Sequence, residues 1–371
     1  MRILILNWRS IKDPLHGGAE LATFEFAKRW VRDYDAQVTW LSPVYDKNIG
    51  EEIIDGVYFK YIGFHLNRNL FKLFFAFPVF YFLVFWTYLT KFKGKVDVVI
   101  DQVHGIPYLT PFYVKEKIIV YIHEVAGEIW DLMYPFPINM LGKLVEKIIF
   151  IPYRKIDFVG TEIVAEDLVK IGISKNNIHT VYYGVTAPDT TKILSKNKDL
   201  TVVFLNRLVK MKGPERAIKV FKIVREKDKM AKLVFIGRGE PEYENELNKL
   251  VKNLGLSDSV IFKGFVSTEE KFKILGESHV LINASFKEGW GLVNIEANRM
   301  GTPVVTFNVK GNNVSVKEGT SGFIFEENEY EKMADKIVEL KEDKKMQQSS
   351  LEYSKQFDWD KVSNNFYEIL K

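Results

Sequence analysis

Two glutamates, Glu288 and Glu296, stand eight residues apart in a segment that combines acids with glycines. Between them, Gly289 and Gly291 flank a tryptophan, at the point where an apolar run gives way to the helix-forming composition of residues 292–300. A glycine-rich turn that opens a helix exposes several backbone N–H groups, and such groups suit a phosphate. The segment therefore predicts an anion-binding turn, with one acid before the turn and one inside the helix.

The spacing of the two acids limits the chemistry that they can do together. If all eight steps between Glu288 and Glu296 were helical, their backbones would lie about 12 Å apart. A close carboxylate pair like that of a retaining glycosidase is therefore not the expected arrangement. Two acids that bracket a phosphate site can instead accept hydrogen bonds from hydroxyl groups on either side of it, such as those of a sugar and a ribose.

A basic segment, residues 206–214, follows the apolar run 201–205. It places Arg207 and Lys212 at the carboxyl end of a predicted strand, where cations can neutralise a diphosphate without a metal ion. An ordinary solvated basic turn is the alternative interpretation. The presence of the Glu288 segment in the same chain favours the diphosphate.

Two weaker candidates lie in the N-terminal half of the chain. Gly17 and Gly18 follow the first apolar run and open a helix, so their backbone N–H groups could approach an anion. His123 follows the apolar run 118–122, at the edge of a sheet where ligands bind. A Gly-Gly pair is common in any turn between a strand and a helix, and a lone histidine is more often structural, so both alternatives stay open.

Short apolar runs alternate with amphipathic stretches along most of the chain, which predicts βαβ units and doubly wound parallel sheets. The runs form two series that separate near Gly184, so we expect two α/β domains with a ligand in the cleft between them. The strands expected in the first series are 3–6, 38–41, 96–100, 118–122 and 158–159. Those expected in the second series are 201–205, 233–236, 260–262, 280–282 and 304–307, with helices over 214–225 and 242–254.

The composition excludes several classes of function. The chain has 371 residues and a net charge of +4, which is too weakly basic to indicate nucleic acid binding. It has no cysteine, which excludes disulfides, thiol catalysis and cysteine-ligated metals. Its six histidines lack the spacing of a zinc site. The N-terminus lacks the features of a signal peptide, so a cytoplasmic location is expected.

The segment from Gly56 to Val96 contains six Lys or Arg residues and no Asp or Glu. Its interior, residues 73–90, is uncharged and rich in aromatic residues. One interpretation is a core helix of the first domain. A second is a face, within residues 60–95, that docks on an anionic membrane surface. A transmembrane span is disfavoured, because the run is at the lower limit of length and Pro78 interrupts it.

In this order, these segments resemble the family 4 glycosyltransferases, which are retaining enzymes of the GT-B fold. The Glu-x7-Glu motif of that family corresponds to Glu288 and Glu296. The other matching segments are Arg207 to Gly213, Gly17 to Glu20, His123, Phe262 to Val266 and Phe357 to Lys361. Residues 56–95 match only in their general helical character.

The resemblance implies a fold and a division of the chain. The fold is α/β, with two Rossmann-like doubly wound domains that face each other across a cleft. Residues 1–184 would form an acceptor-side domain and residues 185–355 a nucleotide-sugar-binding domain. Residues 356–371 would form a C-terminal helix that crosses back to the first domain.

The resemblance also assigns a role to each candidate residue. Glu296 would hold the ribose hydroxyls of the donor, and Glu288 would contact the transferred sugar. Arg207 and Lys212 would bind the diphosphate, which the Gly17–Gly18 turn would approach from the first domain. His123 would lie beside the donor sugar or the acceptor, and it joins Glu288, Arg207 and Lys212 as a catalytic candidate. The remaining donor contacts would be backbone groups at Gly289, Trp290, Gly291 and Leu292, with main chain near Val266 at the nucleobase. This chain departs from the family at Trp290 and at Asn206, where Phe and Gly are commoner.

The activity implied is the transfer of a hexose from a UDP- or GDP-sugar to a glycan or lipid-linked acceptor, with an α-anomeric product. No metal or other cofactor is expected, because the two Asp-x-Asp strings, at 33–35 and 358–360, fit turns and helix caps. The enzyme would be cytoplasmic or peripheral on the inner face of the membrane. A non-catalytic carbohydrate- or nucleotide-binding protein with the same fold is the alternative. A nicotinamide oxidoreductase is disfavoured, since the glycine cluster at 237–239 lacks a third glycine.

Overall fold

The computed structural model describes residues 1–371 except 15, 47, 64–69, 104, 128–129, 131–134 and 189–194, and it describes only the backbone at 70–77. The chain divides into two compact units. The first unit combines Met1–Gly184 with Trp359–Lys371, and the second is Val185–Asp358. Each unit is an α/β structure built on one sheet.

The first unit holds an eight-stranded sheet with the strand order β3-β4-β2-β1-β5-β6-β7-β8. All neighbouring strands are parallel except the antiparallel pair β3–β4. The central strands consist of nearly continuous apolar residues because both of their faces are covered by helices. The strands are β1 Arg2–Leu6, β2 Gln37–Pro43, β3 Glu51–Ile54, β4 Val57–Ile62, β5 Val98–Val103, β6 Lys117–Ile122, β7 Asp157–Gly160 and β8 Ile178–Thr180.

The C-terminal helix packs in the first unit, although the second unit precedes it in the chain. Its Phe366 ring meets the fully buried Trp30 ring edge to face, with the ring centroids 5.1 Å apart. Such pairs stabilise beyond the area that they bury. The helices of the unit are Gly18–Tyr34, Leu70–Thr87, Ile138–Ile149, Glu162–Lys170 and Trp359–Leu370.

The segment 56–95 is not helical throughout, and the expectation of general helical character is wrong at its start. Residues Val57–Ile62 form strand β4, with every second side chain buried, as an alternating pattern requires. The helix Leu70–Thr87 follows and buries Phe80 and Val84, so this helix belongs to the core of the unit. In the described part of the chain, no helix is both long enough and apolar enough to span a bilayer.

The second unit holds a six-stranded, wholly parallel sheet with the order β11-β10-β9-β12-β13-β14. Because all strands run the same way, their carboxyl ends meet along one edge. The strands are β9 Thr201–Leu205, β10 Lys232–Ile236, β11 Val260–Phe262, β12 Val280–Asn283, β13 Val304–Phe307 and β14 Gly322–Phe325. The helices are Pro214–Lys227, Pro241–Asn253, Thr268–Glu277, Leu292–Arg299, Asn312–Ser315, Tyr330–Glu339 and Lys344–Ser354.

Candidate functional site

The candidate site of the second unit lies at the carboxyl edge of its sheet, where the loops after β9 and β12 meet. The backbone N–H of Phe286 donates to the carbonyl of Met211 at 3.0 Å, which joins the two loops directly. The backbone N–H of Glu288 donates to the carbonyl of Lys310, in the loop after β13, at 3.0 Å. Three loops that are distant in sequence therefore hold one another at this edge.

The Glu288 carboxylate is nearly buried and is held by side chains from both sides. Lys212 Nζ lies 2.7 Å from Glu288 Oε2. Ser285 Oγ donates to Glu288 Oε1 at 2.7 Å, and Asn206 Nδ2 approaches the same oxygen at 3.4 Å. Charge-assisted hydrogen bonds of this kind fix an acid in one orientation. The acid and the cation that the sequence assigned to one site are thus in direct contact.

Two glycines make this arrangement sterically feasible. Gly213 has φ +67°, and a Cβ there would overlap the carbonyl oxygen of Ala284. Gly291 has φ +68° and precedes the helix Leu292–Arg299. Both conformations favour glycine over any residue with a side chain. The glycines allow the loop after β9 to pack against the loop after β12, and the helix to begin immediately after the turn.

Hydrogen bonds among buried asparagine side chains and a serine stabilise the start of this helix. Asn283 Nδ2 donates to Asn294 Oδ1 at 2.9 Å and to Asn312 Oδ1 at 3.0 Å. Asn294 Nδ2 donates to Ser315 Oγ at 2.8 Å. Buried polar networks that are linked in this way rigidify the backbone around them. The Gly291 turn is therefore held by side chains from three separate elements.

Gly289 differs from the two glycines on either side of the site. It is exposed, its φ is not positive, and a Cβ added to it would meet nothing within 4 Å. Neither backbone strain nor packing requires glycine there. The neighbouring Trp290 side chain is buried and meets the Phe357 ring at 5.5 Å, so only its backbone faces the turn. Leu292, the first residue of the helix, is partly exposed.

The other predicted residues of the second unit are Glu296, Arg207 and Val266. Glu296 forms an ion pair with Lys271, whose Nζ lies 2.7 Å from Glu296 Oε1. Arg207 is exposed, and within the described residues its guanidinium forms no ion pair. Val266 is half-buried in the loop after β11.

Gly17 and Gly18 lie in the first unit, after β1. Gly17 caps the helix Gly18–Tyr34, and its N–H donates to Glu20 Oε2 at 2.7 Å. A Cβ added to Gly18 would meet nothing within 4 Å. Gly18, like Gly289, therefore has open space where other residues carry a side chain.

His123 follows β6 in the first unit and is held by a hydrogen-bonded chain of buried groups. Asn7 Nδ2 donates to Gln102 Oε1 at 2.7 Å, which leaves Gln102 Nε2 to face His123 Nε2 at 3.0 Å. An amide NH₂ group can only donate, so Nε2 of the neutral imidazole accepts. The ring proton therefore lies on Nδ1, which is 2.6 Å from the hydroxyl oxygen of Tyr183. Burial raises the pKa of the Tyr183 hydroxyl above its usual range, which keeps this hydroxyl protonated.

The sequence did not indicate several residues that hold the candidates in place. Lys271 is an ordinary helix residue by its local pattern, and Gln102 lies within an apolar strand. Ser285 begins the Glu288 segment, so its position near the acid was readable from the sequence. Asn283 ends β12 and Asn312 begins the helix Asn312–Ser315, and only the packing of these two elements brings their amides together.

Comparison with known proteins finds a family match over most of the second unit. The family described as "Glycosyl transferases group 1" matches residues 187–357. Among curated relatives, the chain is 29% identical to the capsular polysaccharide biosynthesis glycosyltransferase CapM of Staphylococcus aureus, over 47% of this chain and 48% of the relative. It is 24% identical to N-acetyl-alpha-D-glucosaminyl L-malate synthase of Bacillus anthracis, over 63% of this chain and 70% of the relative. The chain thus spans about half the length of the first relative.

Solved structures match nearly the whole chain. Sucrose-phosphate synthase from Thermosynechococcus elongatus superposes with a TM-score of 0.75 at 15% identity, over 99% of this chain and 98% of the other. Anabaena HepE in complex with UDP and glucose superposes with a TM-score of 0.72 at 18% identity, over 100% of this chain and 99% of the other. Together with the two α/β units, these likenesses confirm the predicted GT-B fold class.

Proposed function

We propose that the chain is a retaining glycosyltransferase that uses a nucleotide-sugar, since its residues 187–357 match the family described as "Glycosyl transferases group 1". One observation carries the proposal. Glu288, oriented by Lys212 from a neighbouring loop, stands at the carboxyl edge of a parallel sheet beside the open space at Gly289. An acid that accepts sugar hydroxyls next to a helix N-terminus that accepts phosphate is the arrangement that a sugar diphosphate requires.

In the proposed complex, the diphosphate lies against the Gly289–Leu292 turn. Arg207 supplies a positive charge from an exposed position, and Lys212 supplies a second from its pair with Glu288. Glu296 accepts the ribose hydroxyls, and main chain near Val266 meets the base. The Gly17–Gly18 turn of the first unit is a further proposed contact of the donor, and a side chain at Gly18 would meet open space.

The proposed reaction retains the anomeric configuration. The bond between sugar C1 and the diphosphate oxygen breaks, and the bond between C1 and the acceptor oxygen forms on the same face. The acceptor proton passes to the leaving diphosphate, so no protein nucleophile is needed. Arg207, Lys212 and the helix N-terminus stabilise the negative charge that develops on the leaving group.

His123 has a positioning role in this scheme. Its Nδ1–H donates to Tyr183 and its Nε2 accepts from Gln102, so the ring would have to break one of these bonds to move a proton. We propose that it instead shapes the space beside the donor sugar or the acceptor. Catalysis then rests on positioning and on charge stabilisation.

A metal ion has no part in the proposed reaction. In the proposal, Arg207 and Lys212 supply the positive charge that the diphosphate needs. Transfer measured in excess EDTA should therefore equal transfer in added magnesium or manganese. A complete loss of transfer in EDTA that a divalent metal restores would contradict this part of the proposal.

The donor is proposed to be a UDP- or GDP-hexose, and the acceptor a glycan or lipid-linked glycan. HepE was solved with UDP and glucose, and a mannosyltransferase that is 31% identical over 38% of this chain is named as GDP-mannose-dependent. A thermal-shift screen against UDP-, GDP- and ADP-sugars tests the donor. One nucleotide should raise the melting temperature, and the corresponding sugar nucleotide should be consumed when a glycan acceptor is present. Binding without any turnover across acceptors would favour the non-catalytic alternative.

A further inference from the structure

Three neighbouring elements of the first unit present large apolar side chains to solvent. They are the helix Leu70–Thr87, the loop between β5 and β6, and the helix Ile138–Ile149. More than half of the exposed large apolar side chains in the described part of the chain lie on these elements or directly beside them. The six that define the surface, here called the apolar face, are Phe82, Trp86, Phe112, Leu141, Leu144 and Ile148, each more than half exposed.

The two helices cover the same face of the sheet. Ile118 of β6 packs in one cluster with Phe80 and Val84 of the first helix. Val120, two residues further along β6, packs in a second cluster with Phe150, which directly follows the second helix. Residues two apart on a strand point to the same side. The outward surfaces of both helices therefore lie on the same side of the unit.

The loop between β5 and β6 connects the two helices across this side. Tyr81 Oη, on the first helix, donates to the carbonyl of Ile106 at 2.6 Å. The N–H of Thr110 donates at 3.0 Å to Tyr153 Oη, in the turn after the second helix. Phe112, exposed by 71%, lies on this loop. The apolar face therefore includes the loop as well as the two helices.

The second helix has apolar residues where a surface helix is normally polar. Leu141, Leu144 and Ile148 recur at spacings of three and four, so they form one stripe, which is exposed. The opposite stripe, which contains Gly142 and Glu146, is buried. A helix that is buried on one side and apolar on its solvent side leaves a surface that water solvates poorly.

The two stretches that carry the helices of this face have an excess of positive charge, and the loop between them adds one lysine, Lys115, and one acid, Glu116. Residues 78–96 contain three lysines and no acid. Residues 135–156 contain three lysines, one arginine and one acid, Glu146. The Glu146 carboxylate is buried and accepts hydrogen bonds from the N–H groups of Ala126 and Gly127. No acid of these two stretches therefore offsets their lysines at the surface.

We propose that the apolar face docks on the surface of an anionic lipid bilayer. Exposed Trp, Phe and Leu side chains with lysines beside them match the headgroup region, where apolar tips enter the acyl boundary and cations meet lipid phosphates. The face includes Phe82 and Trp86 from the segment 60–95, for which a membrane-docking face was one of two interpretations. It extends to the helix Ile138–Ile149, which the sequence did not single out. The proposal does not depend on the nucleotide chemistry of the second unit.

Co-sedimentation of the full chain with vesicles tests the proposal without any donor or acceptor. The protein should bind vesicles of mixed phosphatidylglycerol and phosphatidylcholine, less so in high salt, and should not bind phosphatidylcholine alone. Leu144→Glu with Ile148→Glu should weaken binding by at least about tenfold, since two apolar contacts become acidic. Phe82→Glu with Trp86→Glu should weaken it similarly from the other helix.

Met230→Glu is the matched control, because Met230 is equally exposed but lies in the second unit. This variant should bind anionic vesicles as the unchanged chain does. Thermal melting and nucleotide binding of each variant report whether it is folded.

Two results would overturn the proposal: an unchanged chain that ignores anionic vesicles, or a folded Leu144→Glu/Ile148→Glu variant that binds them normally. Light scattering can supply a third result that would overturn it. A dimer that this variant dissociates, with no vesicle binding, would assign the face to a second copy of the chain. Vesicle binding with no nucleotide binding would instead contradict the proposed function and leave the docking surface in place.

Discussion

Lys212 Nζ and Glu288 Oε2 lie 2.7 Å apart, and this ion pair joins the loop after β9 to the loop after β12. Both side chains are largely buried, with 17% and 10% of their surfaces exposed. A diphosphate that approaches Lys212 must therefore share this cation with Glu288 or displace the acid. The same ion pair therefore holds the two loops together and lies where the diphosphate is proposed to bind.

Removal of either partner should cost stability as well as donor binding. Lys212→Met or Glu288→Gln leaves one nearly buried charge without its partner, which should destabilise the chain by roughly 1–3 kcal/mol. The double variant Lys212→Met/Glu288→Gln removes both charges and should recover most of that loss. Donor binding should stay weak in all three variants. Chemical denaturation measures the stability and nucleotide-sugar titration measures the donor affinity. A double variant that regains donor affinity would contradict the proposed donor site.

Arg207 should contribute to the transition state without contributing to stability. Its side chain is exposed, so Arg207→Ala should leave the melting temperature unchanged. The same variant should lose on the order of 2–4 kcal/mol of transition-state stabilisation, as measured by kcat/KM for donor turnover. Lys210→Ala, three residues away in the same basic segment and also exposed, is the matched control and should retain activity. Equal effects in the two variants would indicate a general charge effect in place of a site contact.

The glycines of the site should separate into two classes. Gly213→Ala introduces a Cβ against the Ala284 carbonyl at a positive φ and should destabilise the chain by at least about 2 kcal/mol. Gly289→Ala meets open space and should melt like the unchanged chain. Because the proposed diphosphate lies at that turn, Gly289→Ala should nevertheless weaken nucleotide-sugar binding. Calorimetric titration of the folded variant measures this affinity. An unchanged affinity would show that the nucleotide-sugar does not bind against Gly289.

His123 should affect transfer without affecting the binding of the nucleotide. It lies in the first unit, whereas the proposed nucleotide contacts lie mainly in the second. His123→Ala should lower kcat by at least about tenfold while the affinity for UDP or GDP stays the same. His179→Ala, a partly exposed histidine of the same unit that pairs with Asp157, should leave both quantities unchanged. Normal transfer by His123→Ala would assign the Gln102–His123–Tyr183 chain a purely structural role.

His279 should make the stability of the chain depend on pH. Burial, together with the nearby Lys196 and Lys341, lowers the pKa of His279 to about 4 from its ordinary 6.5. Between these values the unfolded chain binds the proton and the folded chain does not. Stability from this group is therefore fully present above pH 6.5 and is lost as the pH falls towards 4, by roughly 2–3 kcal/mol.

The His279→Asn variant isolates this contribution. The neutral His279 ring accepts a hydrogen bond from the N–H of Thr201 at 3.0 Å through Nδ1, and an asparagine Oδ1 can accept the same bond without titrating. Denaturation of both proteins between pH 7 and pH 4 should show a smaller loss of unfolding free energy in the variant. Carboxylates titrate in both proteins and cancel in the difference. If the unfolding free energy of both proteins fell equally with pH, His279 would bind its proton as readily in the folded chain as in the unfolded chain.

Helices and central strands were predictable because their signals are local. The central strand predicted at 201–205 has the bounds that the structure shows, and the C-terminal helix expected within residues 356–371 is found at Trp359–Leu370. The missed strands include β3, β8 and β14, each at the edge of a sheet. Edge strands bury less surface and need fewer apolar residues, so Glu51–Ile54 and Ile178–Thr180 have no distinctive run.

The sequence by itself determined which segments carry the chemistry, because residue type and spacing are local properties. It placed Glu288, Gly289 and Gly291 at one strand-to-helix turn, and Arg207 and Lys212 at the end of another strand. Only the tertiary structure decided the partners. Lys212 pairs with Glu288 across 76 residues and Lys271 pairs with Glu296 across 25, because strand order sets which loops meet at the sheet edge. The sequence also did not predict that the apolar stripe of the helix Ile138–Ile149 is exposed. Helical periodicity shows that a face is apolar, but it does not show which face the core covers.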